Sequence, residues 1–118
     1  MMTNLNKTIK VIWSKNDLHS TREVFLEGDL NIANMDIDIE NFVEGSCLKL
    51  TFYNENEEKL YTLKEENLQK NTVIKIPNEV LQVPGTVFIR MTQEKGEQIL
   101  QATEEIYFYV VKKKTMSS

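Results

Sequence analysis

A chain of 118 residues is long enough for one hydrophobic core and too short for two independent ones. The formal net charge of −4 and the isoelectric point of 5.1 argue against a surface built mainly to bind nucleic-acid phosphates. Cys47 cannot form a disulfide within the chain, and one cysteine with one histidine cannot supply the ligands of a structural zinc site.

Apolar and polar residues alternate along most of the chain, which is the pattern of half-buried β-strands. In the first segment Ile9, Val11 and Trp13 share one face. A long strand is predicted over residues 22–32, in which Gly28 marks a bulge or bend. Most apolar residues of this strand fall at even positions, namely Val24, Leu26, Leu30 and Ile32.

Four further alternating runs have their apolar faces within residues 35–39, 48–52, 87–91 and 106–110. Polar turns separate the runs at intervals typical of β-sandwiches. We therefore predict an all-β fold, a single antiparallel β-sandwich of about seven or eight strands with an immunoglobulin-like arrangement. It is expected to occupy residues 1–118 as one domain, with an ordered core over about 8–112 and frayed polar ends.

Residues 55–71 have two interpretations. They are rich in the helix formers Glu, Lys, Leu and Gln, and Leu60, Leu63 and Leu68 would form a short apolar stripe on a helix. Residues 60–63 also fit a strand that is followed by a charged loop. The strand is the favoured prediction, because β-sandwiches seldom contain long helices.

The stretch IKIPNEVLQVPGTVFIRM, residues 74–91, contains a link that begins and ends with proline. Pro77 cannot donate a ladder hydrogen bond, so it ends the preceding strand, and a short helical turn is predicted at 77–82. Gly85 then helps to redirect the chain into the next strand. Three apolar residues of this corner are predicted to plug one end of the sandwich: Val80, Leu81 and Val83.

Three carboxylates, those of Asp36, Asp38 and Glu40, share one face of a predicted strand. Side chains two residues apart on a strand lie roughly 6.5 to 7 Å from each other, which suits a hard cation such as calcium. A solvent-facing polar row is the simpler interpretation, because no metal-loop glycine or repeated ligand pattern accompanies these residues. No metal and no other cofactor is therefore predicted.

Two residues have catalytic potential by their chemical type. His19 lies between Asp17 and Ser20, but these residues are too close along the chain for the geometry of a catalytic triad, and no G-x-S-x-G motif is present. His19 is expected in a surface turn, and Cys47 is expected to be a small half-buried residue. No catalytic residue and no enzyme activity are predicted.

Aromatic residues supply the candidate contact surface. Tyr107 and Tyr109 project from one face of the last predicted strand, and exposed aromatic rings can anchor a protein interface or stack on sugar rings. A last strand buried on both faces is the alternative. The predicted partner-contact residues are Trp13, Tyr53, Tyr107 and Tyr109, and a carbohydrate-binding role would also use Tyr61.

Three passages carry a resemblance to a known family. They are IKVIWSKNDLHSTREVFLEGDL near the start, IPNEVLQVPGTVFIRM at the proline-bounded corner, and EEIYFYVVKK at the last strand. With them, nearly the whole chain resembles the N-terminal β-sandwich domain of baseplate upper proteins from tailed phages of Gram-positive bacteria.

The resemblance implies a non-enzymatic structural protein of a phage tail or baseplate, which acts by oligomerisation and by contacts with other phage structural proteins. Because the chain ends soon after the last predicted strand, only the particle-attachment role is implied, without the carrying of receptor-binding proteins. A protein made in the host cytoplasm and built into the virion fits a sequence without a secretory signal pattern. Neither nucleic acid nor membrane is an expected partner. A carbohydrate-binding module is the alternative function.

Overall fold

The computed structural model describes residues 7–14, 17–27, 33–102 and 106–112. These residues form ten strands and one 3-10 turn. In chain order they are β1 (Lys7–Ser14), β2 (Asp17–Ser20), β3 (Val24–Leu26), β4 (Ala33–Ile39), β5 (Cys47–Tyr53), β6 (Lys59–Glu65), β7 (Asn71–Lys75), the 3-10 turn (Asn78–Leu81), β8 (Gly85–Lys95), β9 (Gln98–Ala102) and β10 (Ile106–Val111).

The strands form two sheets that enclose one apolar core, so the predicted all-β sandwich is confirmed. The four-stranded sheet has the order β2-β1-β4-β7. The six-stranded sheet has the order β3-β10-β8-β5-β6, with β9 also paired to β8. Strand β8 is long enough to pair with β10 along its first half and with β9 along its second half.

Both sheets are mixed, whereas antiparallel pairing was expected throughout. Strand β1 runs parallel to β4, with Ile9 opposite Met35, and β3 runs parallel to β10, with Phe25 opposite Val110. Alternation of apolar and polar residues is the same in parallel and antiparallel strands, so the pattern does not identify the neighbour. The strand number exceeds the expected seven or eight because the short strands β2, β3 and β9 add to it.

The core is built from the inward side chains of both sheets. Its largest fully buried members include Phe25, Phe52 and Phe108, and the rings of Phe25 and Phe108 meet edge to face with centroids 5.2 Å apart. Burying a large apolar side chain contributes roughly 1.5–3 kcal/mol. The remaining core residues include Ile9, Val11, Trp13, Met35, Ile37, Ile39, Leu48, Leu50, Ile74, Ile76, Val87, Ile89, Met91, Ile106 and Val110.

The proline-bounded corner is largely as predicted. The 3-10 turn begins directly after Pro77, and the buried side chains of Val80 and Leu81 fill one end of the core. Val83 was expected beside them, but its side chain is 55% exposed. It follows the end of the turn, where the chain leaves the core before entering β8 at Gly85.

For the strand predicted over residues 22–32, the prediction of which face is buried was wrong in the part that the structure describes. Phe25 is fully buried, while Val24 and Leu26 point outward and are about half exposed. Strand β3 pairs with β10 in a register that places Phe25 against the core ring of Phe108. The prediction also concerned Gly28, Leu30 and Ile32, which lie outside the described residues, as do the ends that were expected to fray.

The ambiguous segment is a strand, as favoured. Strand β6 pairs antiparallel with β5, and Leu60 forms a bulge in it, because Phe52 lies opposite Tyr61 and Tyr53 lies opposite Lys59. Leu60 and Leu63 pack against the core from this strand, and Leu68 is buried in the loop that follows. The charged residues that favoured a helix lie on the exposed side of β6 and in its flanking turns.

Candidate functional site

The outward side chains of the six-stranded sheet form a continuous surface, which we call the outer face. Strand alternation produces it: in β10 the buried residues Ile106, Phe108 and Val110 alternate with Tyr107 and Tyr109. Strands β3, β8, β5 and β6 extend this face on either side of β10. Its outward residues include Val24, Leu26, Tyr107, Tyr109, Val111, Thr86, Phe88, Arg90, Thr92, Glu94, Lys49, Tyr53, Thr62 and Lys64.

Four aromatic side chains form a row across three neighbouring strands of this face. Register places Tyr53 of β5 opposite Phe88 of β8, and Phe88 opposite Tyr107 of β10. The ring centroids of Phe88 and Tyr107 are 6.2 Å apart. Those of Tyr107 and Tyr109 are 5.7 Å apart in an edge-to-face arrangement. Three rings of the aromatic row therefore support one another, and strand register places Tyr53 beside Phe88.

Both arginines of the chain pack on tyrosines of this row. The guanidinium carbon of Arg22 lies 4.8 Å from the ring centroid of Tyr107, and that of Arg90 lies 5.2 Å from the centroid of Tyr53. A guanidinium at this distance from an aromatic face makes a cation–π contact of about 0.5–1 kcal/mol at an exposed site. The two contacts hold positive charge at two points along the aromatic row.

An aliphatic patch, formed by Val24, Leu26 and Val111, continues the aromatic row from Tyr109 toward the edge of the sheet. Val24 and Leu26 of β3 lie opposite Tyr109 and Val111 of β10. These four side chains are between 38% and 46% exposed, so four sizeable apolar groups lie together at the surface. A clustered exposed apolar patch is typical of an interaction site, whereas single exposed apolar residues are ordinary.

The far side of the outer face is cationic. Lys49 of β5 lies directly opposite Lys64 of β6, and Lys59 lies at the end of the same strand pair. The carboxylate at an outward strand position of this face is that of Glu94, which accepts a 2.6 Å hydrogen bond from the Thr92 hydroxyl. Like charges opposite each other destabilise a strand pair, and the carboxylate of Glu94 lies at the diagonal position from Lys49 on the same face.

A shallow groove of about 470 Å³ borders the outer face at Tyr53. Tyr53, Phe88 and Arg90 line one side, and the turn at residues 54–57 lines the other. The carboxylate of Glu55 accepts a 2.7 Å hydrogen bond from the backbone N–H of Thr86, which fixes the turn against β8. The groove thus combines two aromatic rings, a guanidinium and a carboxylate-bearing turn.

The structure brings three of the predicted contact residues together. Tyr53, Tyr107 and Tyr109 all lie on the outer face. Trp13 does not: its side chain is only 3% exposed and belongs to the core on the four-stranded sheet. Tyr61 lies opposite the buried Phe52 and packs against the core. The predicted partner contacts through the three outer tyrosines stay a prediction.

Sequence reasoning missed part of the outer face. Alternation could have placed Phe88 on the outward side of β8, since it lies between the buried residues Val87 and Ile89. Arg22 and Arg90 carried no comparable signal, because their packing on tyrosines depends on strand neighbours that the sequence pattern does not identify. Val24 and Leu26 were assigned to the buried side.

The residues considered for catalysis lie apart. His19 is exposed on β2 of the four-stranded sheet, opposite Ile12, and lies in a strand where a turn was expected. Cys47 is a half-buried free thiol, as predicted. It lies at the start of β5 in the six-stranded sheet, opposite Glu94. His19 and Cys47 therefore belong to different sheets and do not form a nucleophile–base pair.

The carboxylate row is on the outward side of β4, as predicted. Asp36 accepts a 3.1 Å hydrogen bond from the Asn71 side-chain amide, Asp38 lies opposite Asn71, and Glu40 follows the strand in a turn. Among the described residues, no group of three or more His, Cys, Asp or Glu side chains is arranged to hold a metal ion. The described part of the chain also contains no helix with the length and apolar character needed to cross a membrane.

Comparisons with known proteins give a likeness of fold. No protein-family model matches the sequence, and no curated protein matches it. Among solved structures, the N-terminal domain of phage TP901-1 ORF48 superposes with a TM-score of 0.62 at 14% sequence identity. The match covers 88% of this chain and 98% of that one. The chain therefore resembles, in its fold, the N-terminal domain of a phage protein, which is the kind of likeness that the sequence passages implied.

Proposed function

We propose that this chain is a non-enzymatic structural protein of a phage tail or baseplate, and that it acts through protein–protein contacts. The observation that carries the proposal is the superposition on the N-terminal domain of phage TP901-1 ORF48, which spans 98% of that domain. A match over nearly all of both chains makes the whole sandwich the shared unit. The proposal includes assembly into the virion without a cofactor.

The composition of the outer face supports a contact role. Tyrosine and arginine are the residue types that dominate binding energy at protein interfaces, together with tryptophan. The outer face holds both arginines of the chain and Tyr53, Tyr107 and Tyr109, with the aliphatic patch beside them. A surface of this kind favours association with another protein, either a further copy of the chain or another structural protein of the particle.

Particle composition tests the proposal. Phage particles are purified from lysates of the cells that encode the chain, and the chain is quantified by mass spectrometry against the major tail protein. Immunogold labelling with an antibody to the purified chain then gives its position. We expect a fixed ratio to the major tail protein and labelling at the tail tip. Absence from purified particles, with the chain present in the same lysate, would overturn the proposal.

A second candidate function is carbohydrate binding, and the groove at Tyr53 is the observation that favours it. Sugar rings stack on exposed aromatic side chains, and Tyr53, Phe88 and Arg90 line this groove. Glycan-array binding that is lost in Tyr53→Ala and retained in Tyr109→Ala, which lies outside the groove lining, would support it. An array without hits for the wild-type chain removes this candidate.

A further inference from the structure

The outer face is positively charged in a chain that is negatively charged overall. Five Lys and Arg residues lie on or beside this face, namely Arg22, Lys49, Lys59, Lys64 and Arg90, against three carboxylates, those of Glu94 on the face and of Glu55 and Glu57 in the turn at the groove. The net charge of the whole chain is −4, so the rest of the molecule carries a clear excess of carboxylates. The outer face and the remaining surface are therefore electrostatically complementary.

Carboxylates gather at the end of the sandwich where β5 begins, which we call the acidic end. It comprises the β4–β5 loop, residues 40–46, and the turn after β6, residues 65–70. Glu40, Glu44 and Glu66 are exposed there, and Glu65 lies opposite Leu48 at the start of β5. Two lysines, Lys70 and Lys95, belong to the same end.

The acidic end also offers an apolar group to a partner. Val43 is 36% exposed between Glu40 and Glu44. The loop that carries it is held in place, because the backbone N–H of Val43 donates a 3.0 Å hydrogen bond to the buried side chain of Gln93. A fixed loop with an apolar residue between carboxylates matches a surface with aromatic rings between cations.

We infer that the outer face receives the acidic end of a second copy of this chain. The inference rests on the proposed function, in which the outer face is a protein-contact surface. A symmetric contact between two outer faces is disfavoured, because it would bring together two surfaces that each carry an excess of cations. A contact between the acidic end of one copy and the outer face of the next places carboxylates beside the Lys49–Lys64 pair, and they offset the repulsion between the two lysines. Such a heterologous contact repeats from copy to copy, so it closes into a ring or extends as a filament.

Two charge-reversal variants test the contact. The face variant, Lys49→Glu with Lys64→Glu, leaves the aromatic row and both arginines intact. The end variant, Glu40→Lys with Glu44→Lys, changes two exposed residues of the acidic end. Sedimentation equilibrium at low salt measures the weight-average mass, and circular dichroism confirms that each variant is folded.

We expect the wild-type mass to rise with concentration above 13.8 kDa and to fall toward it as salt is added. Each variant alone should remain at the monomer mass, because like charges then face each other. An equimolar mixture of the two variants should regain association, because each reversed surface meets its complement on the other chain.

Matched controls change the same number of charges elsewhere. Lys10→Glu with Lys75→Glu alters the four-stranded sheet, and Asp36→Lys with Glu79→Lys alters that sheet and the opposite end of the sandwich; both are expected to associate like the wild type. A monomeric wild type at every concentration overturns the inference. The inference is also overturned if either test variant associates to the same mass as the wild type, or if the mixture of the two variants stays monomeric. If the chain is nevertheless found in purified particles, the proposed function stands without this contact.

Discussion

The side chains of Gln93 and Ser46 meet in the interior, where the Ser46 hydroxyl oxygen lies 2.9 Å from Gln93 Oε1. Both residues are buried, and Oε1 also accepts a 3.0 Å hydrogen bond from the backbone N–H of Val43. The amide nitrogen of Gln93 donates a 3.4 Å hydrogen bond to the carbonyl of Asn41. One core side chain on β8 therefore fixes the loop between β4 and β5, which lies at the acidic end.

Replacing Gln93 with leucine should destabilise the protein by about 1–3 kcal/mol, because a side chain of similar size removes the hydrogen bonds that hold this loop. Urea denaturation followed by circular dichroism measures the change. Ser46→Ala is the matched control and should cost less, about 1 kcal/mol, since Gln93 keeps its bond from Val43. Equal urea midpoints for Gln93→Leu and the wild type would contradict this account of the loop.

Glu57 occupies a backbone conformation that is unfavourable for its side chain. Its φ is +62°, in the turn between β5 and β6, where the side chain of Asn54 accepts backbone hydrogen bonds from Asn56 and Glu58. Asparagine tolerates this left-handed region better than glutamate. Glu57→Asn should therefore raise the free energy of unfolding by about 0.5–1 kcal/mol. Glu57→Ala keeps the strain and should leave the urea midpoint within error of the wild type; stabilisation by alanine would show that the backbone conformation is not the cause.

Gly85 combines a positive φ with a close neighbour. Its φ is +132°, and a Cβ atom added there would lie 2.7 Å from the Glu55 carboxylate oxygen that accepts the Thr86 N–H bond. Gly85→Ala should cost about 2–3 kcal/mol from backbone strain and the lost hydrogen bond. Gly96, with a φ of +64° and open space around it, is the control, and its change to alanine should cost only about 1 kcal/mol. Thermal melts that rank the two variants in the reverse order would refute the role of Glu55.

Strand alternation and proline position predicted the sandwich because both depend on local chemistry. Alternation identified the buried faces of β1, β4, β5, β8 and β10, and Pro77 marked the end of β7 and the start of the 3-10 turn. Strand neighbours depend on contacts between distant residues, so the parallel pairs were not predictable from one sequence. Phe25 shows the same limit, because its burial is decided by Phe108, far along the chain.

The candidate site was predicted only where single strands define it. Tyr107 and Tyr109 were placed correctly because they alternate with three buried residues of β10. The aromatic row needs the registers that bring Tyr53 and Phe88 beside them, and the arginine contacts need those registers as well. Trp13 was named as a contact residue by its type alone, although alternation with Ile9 and Val11 already placed it on an apolar face.

The burial of Trp13 makes it a reporter that is separate from the outer face. It is the only tryptophan of the chain, it is 3% exposed, and it lies on β1 of the four-stranded sheet opposite Leu18 and Ile39. Its fluorescence in the native protein should be blue-shifted and weakly quenched by acrylamide, and urea should shift it to the red and make quenching as strong as for free N-acetyltryptophanamide. Strong acrylamide quenching of the folded chain would instead place the indole at the surface and restore Trp13 as a contact residue.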